Sequence, residues 1–280
     1  LQKDCHIPVV SPVDIPDAAK DSDWCFPDTE TGILSAVKKG ATHLWANTIL
    51  FTTHPLQSSR LLDEHAKLVS VVGQPPRLVE AYDDKALVYE IMKTHGGFTV
   101  AKSTTLTASD DLPSVIQSQS LQYPLVAKPV RGRGSHGVKL CKDEETLKAH
   151  ARLLFDESPK IVIENYLKGE EATVTVMPPS MSKPEGYWAL PIVTRFNHSD
   201  GVAPYNGSVA VTANSRVVGT AEYSRDPAYE RAARECEGVA ALLKATAPIR
   251  IDIRRFKEGS DFALFDVNMK PVSHQRKQQL

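Results

Sequence analysis

Hydrophobic positions along the chain switch between a period near 3.6 and a period of two, and the switches mark the elements. From Thr31 the run ILSAVKK predicts a short helix that stops at Gly40, where glycine can take the left-handed cap conformation. THLWANTILF and LVSVV (68–72) read as buried strands, and Gln74-Pro75-Pro76 interrupts any central strand. Asp83-Asp84 open a helix, ALVYEIMKTH, closed by Gly96-Gly97; acid at its start and Lys and His at its end suit the helix dipole. A shorter helix is expected near 110–118. YPLVAKPV and GVKLC then predict two strands joined by a glycine-rich turn, and DEETLKAHARLLF an amphipathic helix capped by Asp143. KIVIEN and EATVTVM form strands around YLKG, while YWALPIVTRF, SVAVTA and VVGT add further strands. PAYERAARECEGVAALLKA is a long helix, and IRIDIRRF, KEGSD and FALFDVN make a hairpin. Helices and strands mix without strict alternation. The class is α/β with α+β subdomains, not one doubly wound sheet.

Composition narrows the function classes. At roughly 150 residues per domain, 280 residues make about two compact units. A hydrophobic fraction of 41% with 24% charged residues excludes wholesale disorder. Lys plus Arg is 33 and Asp plus Glu is 34, so no long-range field draws the chain to nucleic acid or to an anionic membrane. No apolar run approaches the roughly 20 residues of a membrane helix. Cys5, Cys25, Cys141 and Cys236 are scattered, without the close pairs of zinc or redox motifs, and no secretory signal is visible. The expected compartment is the reducing cytoplasm.

Three local constellations carry chemistry. The first is KPVRGRGSHGV, Lys128 to Val138. Its glycines let main-chain N–H groups approach an anion, and Lys128, Arg131 and Arg133 add positive charge. Gly132, Gly134 and Gly137 formally spell G-x-G-x-x-G, but that dinucleotide motif requires a helix to open at the turn, and here the chain continues extended through VKLC. A strand–glycine turn–strand is instead a flap over phosphates; the bland reading is a hairpin turn with incidental arginines. The second is IVIENYLKGEEATV. A bend between Glu164 and Glu171 leaves the main chain of Asn165, Tyr166 and Leu167 to read a purine edge, with a carboxylate beyond it for ribose hydroxyls, or else it is a solvated connection. The third is the hairpin. With its turn centred on Gly259, Asp252 faces Asp266 and Arg250 faces Asn268, while Ile249, Ile251 and Ile253 with Ala263, Phe265 and Val267 fill the other side. Opposed carboxylates repel at about 5 Å, and a divalent cation between them removes that penalty. Pairing of Asp252 and Asp266 with Arg250, Arg254 or Arg255 would relieve it equally.

In this order the motifs resemble the ATP-grasp superfamily, most closely its D-alanine–D-alanine ligase-like branch. The resemblance runs over about 81 to 271, and over the first 80 residues in position only. It implies a smaller N-terminal α/β domain (1–80), a lid subdomain (81–163) and a large subdomain with the metal site (164–280). It implies that Lys85 and Lys128 hold ATP phosphates beneath a flap of Arg133, Gly134, Ser135, His136 and Gly137. Glu164, Asn165 and the backbone at Tyr166 and Leu167 would take adenine, and Glu171 the ribose. Asp252, Asp266 and Asn268 would bind Mg²⁺, with Mn²⁺ as the alternative ion, and Arg250 would stabilise the intermediate. The implied reaction converts a carboxylate to an acyl phosphate, which an amine then attacks. Phosphoryl transfer asks mainly for positioning and charge neutralisation, which these residue types provide. The implied partners are a small-molecule carboxylate and amine, not nucleic acid or membrane, and a homodimer is compatible with them. Two departures stand out. The N-terminal region has no glycine-and-acid motif of the D-alanine ligases, and after Asn268 the chain reads MKPVSHQRKQQL where the family has a glycine-containing loop. They keep in view a second reading, a nucleotide-binding protein of the same fold without turnover.

Overall fold

A computed structural model describes residues 7–45, 50–51, 53–132, 135–198 and 214–269. The chain divides into two compact units, one reaching to Glu80 and the other beginning at Ala81. In the first, helix α1 (Glu30–Lys38) starts where Thr29 accepts a hydrogen bond from the Gly32 N–H, and it buries Ile33 and Ala36. It ends at Gly40, whose φ of +95° lies in the region that glycine tolerates. The predicted strands shorten to β1 (His43–Leu44) and β2 (Ser70–Val71), which pair in parallel; residues 46–49 of THLWANTILF lie outside the described residues. Pro76 opens a helix, α2 (Pro76–Tyr82), which the sequence reading did not contain. A proline at the first helical position loses no hydrogen bond.

The second unit holds two antiparallel sheets. The first has the order β3–β6–β4–β5, from Ser103–Thr107, Lys160–Asn165, Leu125–Pro129 and Lys139–Cys141. β3 was not predicted, because STTLT carries one large apolar residue. Ahead of the sheet lies α3 (Lys85–His95), capped by Asp84, and between its strands lie α4 (Leu112–Ser118) and α5 (Glu144–Glu157), capped by Asp111 and Asp143. Period two in β6 sends Ile161 and Ile163 into a core with Leu125, Leu147 and Leu154. Val162 and Glu164 point to the opposite face and are buried too.

The second sheet runs β10–β9–β7–β11–β12, with β8 beside β7: Ser215–Val217, Val193–Arg195, Glu171–Met177, Ile249–Arg255, Phe262–Asn268, and Trp188–Ala189 for β8. YWALPIVTRF is therefore two strands, since Pro191 lacks the N–H a ladder needs. SVAVTA lies outside the described residues, and of VVGT only Val217 is in a strand; Gly219 caps α6 (Thr220–Arg225). Helix α7 (Pro227–Leu242) buries Ala228, Ala232, Ala233, Cys236, Val239 and Ala240. Ile249, Ile251 and Ile253 are fully buried on alternate positions of β11, each worth about 1.5–3 kcal/mol of removed apolar surface. Among the described residues no helix is long and apolar enough to cross a membrane.

One ion pair ties β10 to α6. Arg216 donates from both terminal nitrogens to Glu222 (2.7 and 2.8 Å), and this fork draws the Glu222 carboxyl down to about 2. A carboxyl lower in the folded than in the unfolded chain, about 4.3, adds stability above that value and loses it as pH falls toward 2. The pair is half-exposed, so its worth is about 0.5–1 kcal/mol. Glu222→Gln should lower the unfolding free energy from urea titration at pH 7 by about 0.5–1 kcal/mol, and the gap to the unsubstituted chain should close near pH 2.

Candidate active site

The polar face of the second sheet is built in rows. Across β7, β11 and β12 the ladder aligns Glu171, Arg254 and Ala263; then Thr173, Asp252 and Asp266; then Thr175, Arg250 and Asn268. The hairpin thus has Asp252 opposite Asp266 and Arg250 opposite Asn268, the register expected from its turn. Beyond Asp252 a bulge shifts the pairing by one, so that Ile253 faces Leu264 and not Phe265. The core side is therefore Ile249, Ile251 and Ile253 with Leu264 and Val267. Ala263 and Phe265, expected in that core, pack instead with Ala101 and Leu167. An extra residue in one strand reverses every side chain beyond it.

Asp252 is buried. Its carboxylate accepts from Arg250 Nε and Nη2 (both 3.1 Å) and from Asn268 Nδ2 (3.3 Å). Burial pushes the Asp252 carboxyl up, the Arg250 guanidinium opposes this, and the Asp266 charge adds to it. Asp266 lies 3.6 Å from Lys85 Nζ at the start of α3. Lys85 in turn donates from Nζ to the Gly132 carbonyl (3.0 Å) and from its N–H to that of Val130 (3.0 Å), holding the entry of the glycine-rich turn. Arg250 thus supplies the pairing that the sequence left open for Asp252, and two opposed carboxylates and an amide on one strand face also form a hard oxygen set of the kind Mg²⁺ takes. Among the described residues no group of three or more His, Cys, Asp or Glu could hold a metal, so the set rests on Asn268 as its third member.

Residues of both sheets line one solvent-open cleft, among them Lys85, Lys128, Glu164, Phe265 and Asp266. Lys128 on β4 and Glu164 on β6 are both buried and form an ion pair at 2.8 Å. Lys128 Nζ also donates to the Phe265 carbonyl (3.2 Å), which links the sheets.

The remaining expected residues divide. The N–H groups of Asn165 and Tyr166 go to the carbonyls of Lys102 (2.9 Å) and Pro124 (3.2 Å), so the strip, expected to be incompletely paired, has both of these N–H groups taken up. Asn165 also turns its side-chain oxygen onto the Gln122 N–H (3.0 Å). Among the described residues, Leu167 is the member of the three whose N–H meets no acceptor, and its side chain is buried. Glu171 is buried beside Arg254 (3.4 Å) and His198 (2.9 Å). Arg133 and Gly134 lie outside the described residues. Ser135 has a φ of +60° and its carbonyl accepts the Val138 N–H (3.1 Å). His136 is exposed and paired with Glu157 of α5 (2.8 Å). Gly137, at φ +67°, packs where a Cβ would come within 2.8 Å of Leu154 Cδ2; it is required for the turn's seat on α5. The chain after Val138 is β5, and the next helix waits until Glu144, which excludes the dinucleotide motif.

Sequence reasoning missed Thr173 and His198 as neighbours of the site, placed Phe265 in the core, and weighed Arg254 as a partner for the two aspartates, where the structure pairs it with Glu171. EATVTVM held a signal for the first, since its period-two pattern sets Glu171, Thr173 and Thr175 on one face and Ala172, Val174 and Val176 on the other. Thr173 lies directly across the ladder from Asp252, and its buried hydroxyl helps to hold the Asp252 carboxyl down against the effect of burial.

Two antiparallel sheets with an acidic strand face beside a lysine-lined cleft define a class, the ATP-grasp fold, and solved structures agree. The crystal structure of D-alanine–D-alanine ligase from Bacillus anthracis complexed with ATP superposes with a TM-score of 0.63 at 19% identity, over 89% of this chain and 75% of that one. VanG D-Ala:D-Ser ligase from Enterococcus faecalis gives 0.58 at 18% identity, over 77% and 61%. The family model for the D-ala D-ala ligase C-terminus matches residues 94–272, and the chain belongs to that family. Among curated proteins, D-alanine–D-alanine ligase from Aquifex aeolicus is 28% identical over 191 residues, covering 67% of this chain and 58% of the relative. The Bacillus anthracis ligase is 33% identical over 93 residues, covering 33% and 30%. The chain thus spans between 30% and 58% of the length of these two relatives.

Proposed function

We propose that the chain is a cytoplasmic ATP- and Mg²⁺-dependent ligase that joins a carboxylate to an amine, with amino-acid-like substrates. The observation that carries this reading is the row in which Asp252 faces Asp266, with Arg250 and Asn268 alongside, where Asp266 lines a cleft together with Lys85 and Lys128. In this reading Asp252, Asp266 and Asn268 hold the ion, which when bound neutralises charge on the ATP phosphates. Lys85 and Lys128 hold phosphate oxygens, covered by the turn from Arg133 to Gly137. The open N–H of Leu167, with Glu164, Asn165 and Tyr166 around it, borders the base, and Glu171 takes the ribose.

A substrate carboxylate oxygen attacks the γ-phosphorus, the bond to the β–γ bridging oxygen breaks, and ADP leaves. The amine nitrogen then attacks the acyl carbon, inorganic phosphate departs, and the nitrogen gives up a proton. Arg250, held edge-on by Asp252, stabilises the negative charge carried between these steps. The partition into 1–80, 81–163 and 164–280 belongs to the same reading, as does a homodimer.

The deciding experiment is phosphate release from ATP and Mg²⁺, screened over D- and L-amino acids and small carboxylic acids in pairs. Release that depends on a particular acid and amine supports the ligase. Nucleotide binding without release for any pair supports instead a binding protein of the same fold.

A further inference from the structure

We infer that Arg254, together with His198, is a positioning residue that aims the Glu171 carboxylate at the sugar of the nucleotide. The inference rests on the reading above, in which Glu171 faces the ribose, and extends it to how that carboxylate is oriented.

Arg254 sits on β11 in the same row as Glu171, two residues from Asp252. It is 9% exposed, and among the described residues its fork reaches three points of one short stretch of chain. Nε donates to the Gly169 carbonyl (3.2 Å), Nη2 to the Tyr166 hydroxyl (3.0 Å) and Nη1 to Glu171 Oε2 (3.4 Å), while the guanidinium carbon lies 4.9 Å from the centre of the Tyr166 ring. One side chain thus clamps three points of the turn between β6 and β7. His198 Nε2 reaches the same Oε2 at 2.9 Å.

Both partners take one oxygen. An ionised carboxylate has about four lone-pair sites on two oxygens, and among the described residues no donor meets Oε1. Donors stacked on Oε2 fix the plane of the group and leave Oε1 as the acceptor for a hydroxyl. A vicinal diol is the matching donor. Arginine serves this role where lysine would not, because its planar fork can hold the Gly169 carbonyl and the carboxylate at the same time.

The test compares binding of ATP and 2′,3′-dideoxyATP, each with Mg²⁺, by calorimetry. The unsubstituted chain should prefer ATP by about tenfold or more, the scale of one hydrogen bond to a charged group. Arg254→Met should bring that preference within about threefold, with the dideoxy affinity nearly unchanged. Arg254→Lys should fall between. A purely structural arginine would weaken both nucleotides alike, so an unaltered ratio in folded Arg254→Met overturns the inference. If the methionine variant does not fold, His198→Ala decides: a reduced ratio supports the inference and an unchanged one overturns it. Binding of ATP by the unsubstituted chain with no sugar preference overturns the inference alone. No binding of either nucleotide overturns the proposed function with it.

Discussion

Replacing Asp266 by alanine should abolish Mg²⁺-dependent phosphate release, by about a hundredfold or more, while leaving the fold as stable as before. The two halves of this expectation come from different features of one side chain. Asp266 is directly opposite Asp252, so its removal takes one of two carboxylates from the set that would grip the ion. Its structural partner is Lys85 at 3.6 Å, beyond hydrogen-bond distance, and its side chain is 22% exposed. Such a pair is worth about 0–1 kcal/mol, and losing the like charge opposite Asp252 returns a similar amount. Turnover should therefore collapse without a matching shift in the urea midpoint. Asp266→Asn, which keeps an oxygen donor and drops the charge, should retain part of the activity at raised Mg²⁺. Full Mg²⁺-dependent release by the alanine variant would remove Asp266 from the metal set. A loss of several kcal/mol in stability would mean that the side chain is structural.

How far the sequence could be read follows from the range of each interaction. The facing of Asp252 and Asp266 was legible because a hairpin is local: once the turn is centred on Gly259, alternation sets which residues oppose each other. The bulge after Asp252 was not legible, since its signal is a mismatch of one residue between strands that both alternate well. It exchanged Phe265 for Leu264 in the core and left the Phe265 carbonyl within reach of Lys128. Helix starts were readable from Asp84 and Asp143, whose side chains accept from N–H groups three residues on; Asp111 caps the short helix expected near 110–118 in the same way. The turn between Glu164 and Glu171 was located from its flanking strands. Its pairing was hidden, because the acceptors at Lys102 and Pro124 are roughly 40 to 60 residues away and no local pattern announces them. Arg254 looked like one basic residue among three in IRIDIRRF. Only the pairing of β11 with β7 sets it beside Glu171.

The ion pair of Lys128 and Glu164 is the most consequential of these long-range contacts, and Lys128→Met should destabilise the second unit by about 3–5 kcal/mol. Lys128 is 4% exposed and Glu164 8%, on neighbouring strands of a sheet whose other face is packed core. Methionine keeps the length of the side chain but leaves the Glu164 carboxylate in the cleft wall without its 2.8 Å partner. The cost is that of an unpaired buried charge, far above the value of the pair itself, which burial in both partners keeps small. A second substitution separates the two quantities. Lys128→Met combined with Glu164→Gln removes both charges, and the double variant should recover most of the lost stability. The melting temperature should drop by roughly 6–20 °C in the single variant and rise again in the double one. If both variants are equally unstable, the loss lies in the missing donor to the Phe265 carbonyl, which links the two sheets, and not in the ion pair within the first sheet. Neither variant should bind Mg²⁺–ATP as the unsubstituted chain does, because each lacks the ammonium proposed to meet a phosphate. Restored stability without restored nucleotide affinity is thus the result that gives Lys128 two separate duties, one to Glu164 and one to the ligand.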